Sequence, residues 1–290
     1  MARPLGTINR KTLEKIEVIK ETFEKEGCLT VRRIYYILLS KGLLKHKESA
    51  YISLSSQLTN WREKGIIDPD MIIDQHRIFD KLVTYNSLNE FLMDVPNHYL
   101  LDRQAGQDVY LEVWCEKDTL HGIVSDICHE YRIPLVISKG FTSYSFKHEA
   151  IERFSELEKP IVILYLGDWD AEGLYIPQLL GEFLARNGSE IRLERVAMVE
   201  DDIKSLPSVA WNPKQLHLKK EYVRNYVKTY GKTKWEIEAL SLREIRDRLL
   251  DSMPKYVDIN RLKKTQAQEE KDREILAQKL RKFMRRSETA

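Results

Sequence analysis

Two apolar, β-branched runs that stop abruptly in carboxylates constrain this chain more than any other feature. Residues 109–118 read VYLEVWCEKD and residues 160–173 read PIVILYLGDWDAEG. Apolar runs of this length read as strands buried on both faces of a parallel sheet, and open α/β sheets place their sites at the carboxyl ends of such strands. Glu116 and Asp118 close the first run, Asp168 and Asp170 the second, so the pattern predicts that the acids converge. Carboxylates gathered at one point repel one another and call for something positive among them, usually a hard cation such as Mg²⁺. The expectation is a metal site for phosphate chemistry.

Alternate residues of an extended strand point the same way, so Asp168 and Asp170 can aim at one ion. Either aspartate can equally cap the helix that follows, as Asp118 can for its own. Lys139-Gly140, after the intervening strand, would add an ammonium and a close-approach glycine beside the acids; an ordinary surface lysine is the alternative.

Between and around these runs, strands and helices alternate. Strands over Val109–Cys115, Pro134–Ser138, Ile161–Leu166 and Glu190–Met198 are separated by helices near Thr119–Tyr131, Tyr144–Leu157 and Ala171–Ala185. That βαβ series predicts an α/β fold with a mainly parallel sheet over 108–205. After about Glu200 the pattern turns helical and charged, and 206–290 reads as a helical extension whose last helix is a solvated arm or packing strut. Residues 79–107 read as a linker.

The first 78 residues form a different unit. Asn9–Glu26 has helical periodicity and stops at Gly27; Thr30 can cap a second helix, VRRIYYILLSK, ending at Gly42; a third covers Glu48–Lys64. In the second helix Val31, Ile34, Tyr35 and Leu38 form the core stripe, which places Tyr36 on the flank, one turn from Arg32. The third helix turns Tyr51, Leu54, Leu58 and Trp61 inward and displays Ser53, Ser56, Gln57, Asn60 and Arg62. IIDPDMIID then reads as a two-stranded turn. Three helices and a β-wing make a winged helix-turn-helix, with a small helical domain bearing a solvated face as the bland reading.

CEKD, SKG and GDWDAEG together resemble the three signature stations of the Toprim domain. The preceding VRRIYY unit resembles the winged helix of the topoisomerase VI A subunit and its meiotic double-strand-break relative, in short stand-alone form. The likeness spans Thr30–Asp74 and Tyr110–Met198. It implies Mg²⁺ on Glu116, Asp168 and Asp170 and Tyr36 as nucleophile with Arg32 assisting; Lys139, by its place at the strand end, is added to the catalytic set, and Arg33, Ser53, Gln57, Asn60 and Arg62, as displayed polar and basic residues, are the expected DNA contacts. The implied reaction is transesterification of double-stranded DNA to a 5′-phosphotyrosyl linkage. A water-using Toprim nuclease and a non-catalytic DNA-binding protein are the alternatives. The tyrosine and the acids fall in different domains, and the related proteins bring them together across a homodimer, so a homodimer is expected here. Strand passage would need a separate ATPase partner, since the chain has no P-loop.

Composition narrows the rest. At 290 residues two cores are affordable, and the net charge of +2 gives no global field for nucleic acid. Charge is instead segregated, with thirteen Lys or Arg against seven Glu in the first 65 residues. Cys28, Cys115 and Cys128 have no metal-ligand spacing, which predicts buried thiols in a reducing compartment. No membrane span or signal-peptide pattern is present, so a cytoplasmic, DNA-associated protein is expected.

Overall fold

The computed structural model describes residues 9–45, 47–72, 82–137, 144–186, 191–211 and 217–287. The Asn9 side chain accepts from the Thr12 N–H and starts α1 (Arg10–Glu26), which ends at Gly27 with φ 83°. Thr30 caps α2 (Val31–Ser40) by accepting from the Arg33 N–H, and α3 (Glu48–Glu63) follows. Ile16, Ile19, Ile34, Leu38, Leu54, Leu58 and Trp61 bury between these helices. The face expected for DNA is partly open: Ser53, Ser56 and Asn60 are exposed, whereas Gln57 and Arg62 are half-buried.

Two expectations for this region change. The first half of the wing is a 3₁₀ turn, Pro69–Met71, because Asp68 accepts from the Asp70 N–H and Pro69 has the φ that starts a helical turn. Ile72 then makes a single parallel bridge with Leu29, and the rest of the expected wing lies outside the described residues. Cys28 is exposed rather than buried, while Cys115 and Cys128 are buried as expected.

A short helix, α4 (Leu88–Asp94), crosses the expected linker. The alternation then appears as β1 (Tyr110–Cys115), α5 (His121–Tyr131), β2 (Leu135–Ile137), α6 (Tyr144–Ser155), β3 (Ile161–Leu166), α7 (Ala171–Arg186) and β4 (Ile191–Ala197). All pairs in this four-stranded sheet are parallel, in the order β2-β1-β3-β4. Every residue of β3 is buried, as a central strand covered on both faces requires. The chain leaves β1 toward β2 on one side and returns to β3 on the other, so the β1/β3 boundary is the sheet's topological switch point. Cys115 pairs there with Leu166, immediately before Glu116 and two residues before Asp168.

The C-terminal region consists of α8 (Asp202–Ser205), β5 (Val209–Ala210), α9 (Glu221–Tyr230), β6 (Thr233–Lys234), a 3₁₀ turn Ile237–Ala239, α10 (Leu242–Ser252) and α11 (Ile259–Ser287). β5 and β6 form an antiparallel pair, and Ser241 with Glu244 closes a capping box on α10. α11 is a strut: it lies against α4, with Glu269 buried among arginines. The 3₁₀ turn packs against α2, so one continuous buried core joins the N-terminal helices, one sheet face and the C-terminal region. Among the described residues no helix is long and apolar enough to cross a membrane.

Candidate functional site

Glu116 reaches the backbone of Asp168 at the switch point. Glu116 Oε2 accepts from the Asp168 backbone N–H at 3.3 Å and from the Tyr165 hydroxyl at 3.1 Å. Two glycines make this approach possible: a Cβ at Gly167 would collide with the Tyr165 ring and lie 2.8 Å from Glu116 Oε2, and one at Gly173 would strike the Asp168 carbonyl. Asp170 does what the capping alternative foresaw, its Oδ1 accepting from the Gly173 N–H at 2.7 Å. Pro177 lies within α7 and has no N–H to offer the Gly173 carbonyl four residues back; the Arg195 guanidinium donates to that carbonyl instead. Arg195 also donates to the carbonyls of Gly167 and Asp168, tying β4 to the acidic turn.

A second set of residues enters from a segment that the sequence left without a role. Trp169 and Trp235 exchange backbone hydrogen bonds of 2.8 and 3.0 Å, which pins residues 235–239 against the Asp168–Asp170 turn. The Ile237 N–H donates to Asp168 Oδ1 at 2.9 Å, and Glu236 and Glu238 point into the cluster, each about as buried as Asp168. Lys117 joins the two sets, with Nζ 2.8 Å from Asp168 Oδ2 and 4.0 Å from Glu238 Oε2. A signal for Glu236 and Glu238 existed in the sequence: two glutamates interleaved with Trp235, Ile237, Ala239 and Leu240 are charges inside an apolar run.

The N-terminal helices close the cluster from above. Arg32 pairs with Glu236 at 2.9 Å and with Glu238 at 3.5 Å, and its guanidinium lies 5.0 Å from the Tyr51 ring centroid. The Tyr36 hydroxyl donates to Glu236 Oε2 at 2.9 Å. Helical period placed Tyr36 on an open flank, yet it is 2% exposed, less than Tyr35 at 5%. Period reads one covered face; α2 has a second cover, the 236–239 segment, contributed from 200 residues away. Arg33, expected at DNA, is bound to Glu26 at 2.6 and 2.9 Å and to the Ala239 carbonyl. Lys139 lies outside the described residues. Tyr36 and Asp168 border this cluster within one chain, joined through Glu236 and the neighbouring Ile237.

Burial and like charge set the electrostatics. Burial, then Asp168 and Asp170, raise Glu116 to about 7. Burial also raises Asp168, against the pull of Lys117. For Lys117 burial opposes the charge, but Asp168, Glu236 and Glu238 outweigh it and hold the ammonium protonated. Burial would raise Glu236 as well, yet Lys234, Arg32 and Lys117 bring it down to about 2. Tyr36 is pushed above its ordinary range by burial and then by Glu236.

Among the described residues no three of His, Cys, Asp and Glu stand close enough to share one cation. The donor chemistry nonetheless fits a hard divalent ion: the ligating atoms are all carboxylate oxygens, and Glu238 Oε1 is buried without a hydrogen-bond partner. No protein-family model matches the chain, and no curated protein matches it significantly.

Proposed function

We propose that this chain is a divalent-cation-dependent DNA-cleaving enzyme in which Tyr36 attacks a phosphodiester at the carboxylate cluster. One observation carries the reading: at the sheet's switch point Arg32 and Tyr36 on α2 meet Glu236, whose neighbour Ile237 binds Asp168, while Glu116 accepts from the Asp168 N–H and Asp170 caps the helix beyond. Glu116, Asp168 and Asp170 would hold the cation, which supplies neutralisation of charge on the phosphoryl oxygens and on the departing 3′ oxygen. The phenolic oxygen forms the bond to phosphorus, the P–O3′ bond breaks, the phenol's proton passes to solvent and the 3′ oxygen takes one up. Arg32 is positioned to hold the phosphate and favour the phenolate.

In the closed arrangement Tyr36 is not activated. Its acceptor, Glu236, sits at about 2, and the phenol lies above its ordinary value. Moving the phenol proton onto Glu236 is uphill, because burial and Glu236 hold the proton on Tyr36 while Lys234, Arg32 and Lys117 keep Glu236 ionised. Attack therefore requires α2 to lift Tyr36 off Glu236 as DNA enters. A second reading, in which water attacks and Tyr36 is a packing residue, is favoured by that same 2% exposure and carboxylate bond.

Duplex DNA and Mg²⁺ separate the readings. Mass spectrometry of a nucleotide adduct on Tyr36 supports transesterification. Free cleaved ends that persist in Tyr36→Phe support water. Retention of DNA without cleavage, equal in wild type and Asp168→Ala, defeats both and leaves a binding protein. The expected homodimer is tested independently by native mass.

A further inference from the structure

Lys117 and Glu238 have no part in the reaction as drawn, yet they lie at its centre. The Lys117 ammonium sits between carboxylates from two different parts of the chain: Asp168, after β3, and Glu238, on the segment pinned by the Trp169/Trp235 pairing. The side chains of Asp168 and Glu238 are 4% and 3% exposed, whereas that of Lys117 is 23% exposed, so the acids are fixed and the cation between them has a way out. Glu238 is also incompletely used. Its Oε2 faces Arg32 at 3.5 Å and Lys117 at 4.0 Å, both longer than a good charged hydrogen bond, and its Oε1 has no partner. A buried carboxylate in that condition points to a missing cation.

We propose that Asp168 and Glu238 form a cation subsite which the Lys117 ammonium fills in the closed state, so that a divalent cation and Lys117 compete for it. This rests on the reading of the cluster as a cation site, and it adds a ligand from outside the sheet. The physical reason for exchange is charge: a divalent ion gives two buried carboxylates twice the compensation of an ammonium, and it can take the Oε1 oxygen that Lys117 leaves unpaired. A displaced Lys117 is then free to meet a substrate phosphate at the mouth of the site.

The test is Mn²⁺ binding to the full chain without DNA, followed by loss of the free-ion EPR signal. Lys117→Met is expected to tighten binding on the order of tenfold, and Glu238→Gln, alone or added to it, to weaken binding by a comparable factor. Unchanged affinity in Glu238→Gln overturns the proposal, and so does a folded Lys117→Met that binds no more tightly than wild type. Should Lys117→Met be unfolded without metal, the readout is its circular dichroism during the titration: refolding on Mn²⁺ supports competition, and failure to refold at any concentration counts against it. Cleavage assays keep the two ideas apart. Active enzyme whose Mn²⁺ affinity ignores Glu238 sinks only the subsite; a Glu238-dependent Mn²⁺ site in a protein that never cleaves DNA sinks only the proposed reaction.

Discussion

Two buried glutamates with different neighbours differ in a way that separates scaffold from site. Glu269, on α11, is 1% exposed and both its oxygens are occupied: Oε1 meets Arg273 at 3.0 Å and Arg103 at 3.3 Å, and Oε2 accepts from the Leu101 N–H at 3.0 Å. Glu238 is 3% exposed, has two distant cations and keeps one oxygen unpaired. Burial raises both, but at Glu269 the Leu101 N–H and the arginines more than offset it and lower the group, whereas at Glu238 it prevails. Equal burial thus has two meanings. A satisfied carboxylate clamps α11 onto the loop before β1, while an unsatisfied one waits for a ligand.

The largest expected effect lies on the satisfied side. Glu269→Gln leaves buried Arg103 without its carboxylate partner and takes one of two carboxylates from half-buried Arg273, and a loss of about 3–5 kcal/mol is expected in urea unfolding. A loss below about 1 kcal/mol would erase the contrast. The next effect is on the acid cluster and has the opposite pH sense. Glu116 moves from an ordinary 4.5 to about 7 in the folded chain, so its contribution is favourable below pH 4.5 and is lost as pH rises through 7. Measured in EDTA, Glu116→Gln should be more stable than wild type at pH 8 by up to ~3 kcal/mol and lose that advantage in acid. Glu269, being lowered, loses its contribution as pH falls, so Glu269→Gln should flatten the acid limb instead.

Smaller effects sharpen the picture of α2. Tyr36→Phe removes one donor from Glu236 while Arg32 and Lys234 remain, and thermal unfolding should report a loss near ~1 kcal/mol. Smallest of all, Ser53→Ala and Asn60→Ala on the exposed face of α3 should change stability by less than ~0.5 kcal/mol. Under the proposed function they should still weaken duplex binding, read by fluorescence anisotropy. Unchanged affinity would remove that face from the DNA contact.

Much of the scaffold is legible in the sequence because it depends on neighbours along the chain. β3 is read to the residue, since a fully buried strand is a continuous apolar run, and the cap at Thr30 is a local hydrogen bond. The meeting of Glu116 with Asp168 follows from strand ends in a parallel sheet. Tyr36 was misjudged because helical period describes one helix against one core. At the start of the expected wing, Asp68-Pro69-Asp70 satisfies a 3₁₀ turn as readily as a hairpin, and local pattern does not choose between them.

By itself, then, the sequence determined the α/β alternation, the order of helices before it and which carboxylates end which strands, all consequences of periodicity and local capping. Tertiary structure alone decided that residues 235–239 fold back onto the acidic turn, bury Tyr36 and set Lys117 between Asp168 and Glu238. Those contacts join residues 50 to 200 positions apart. Their energy is set by the cost of desolvating charges against the gain from pairing them in a common space, and no local pattern encodes it.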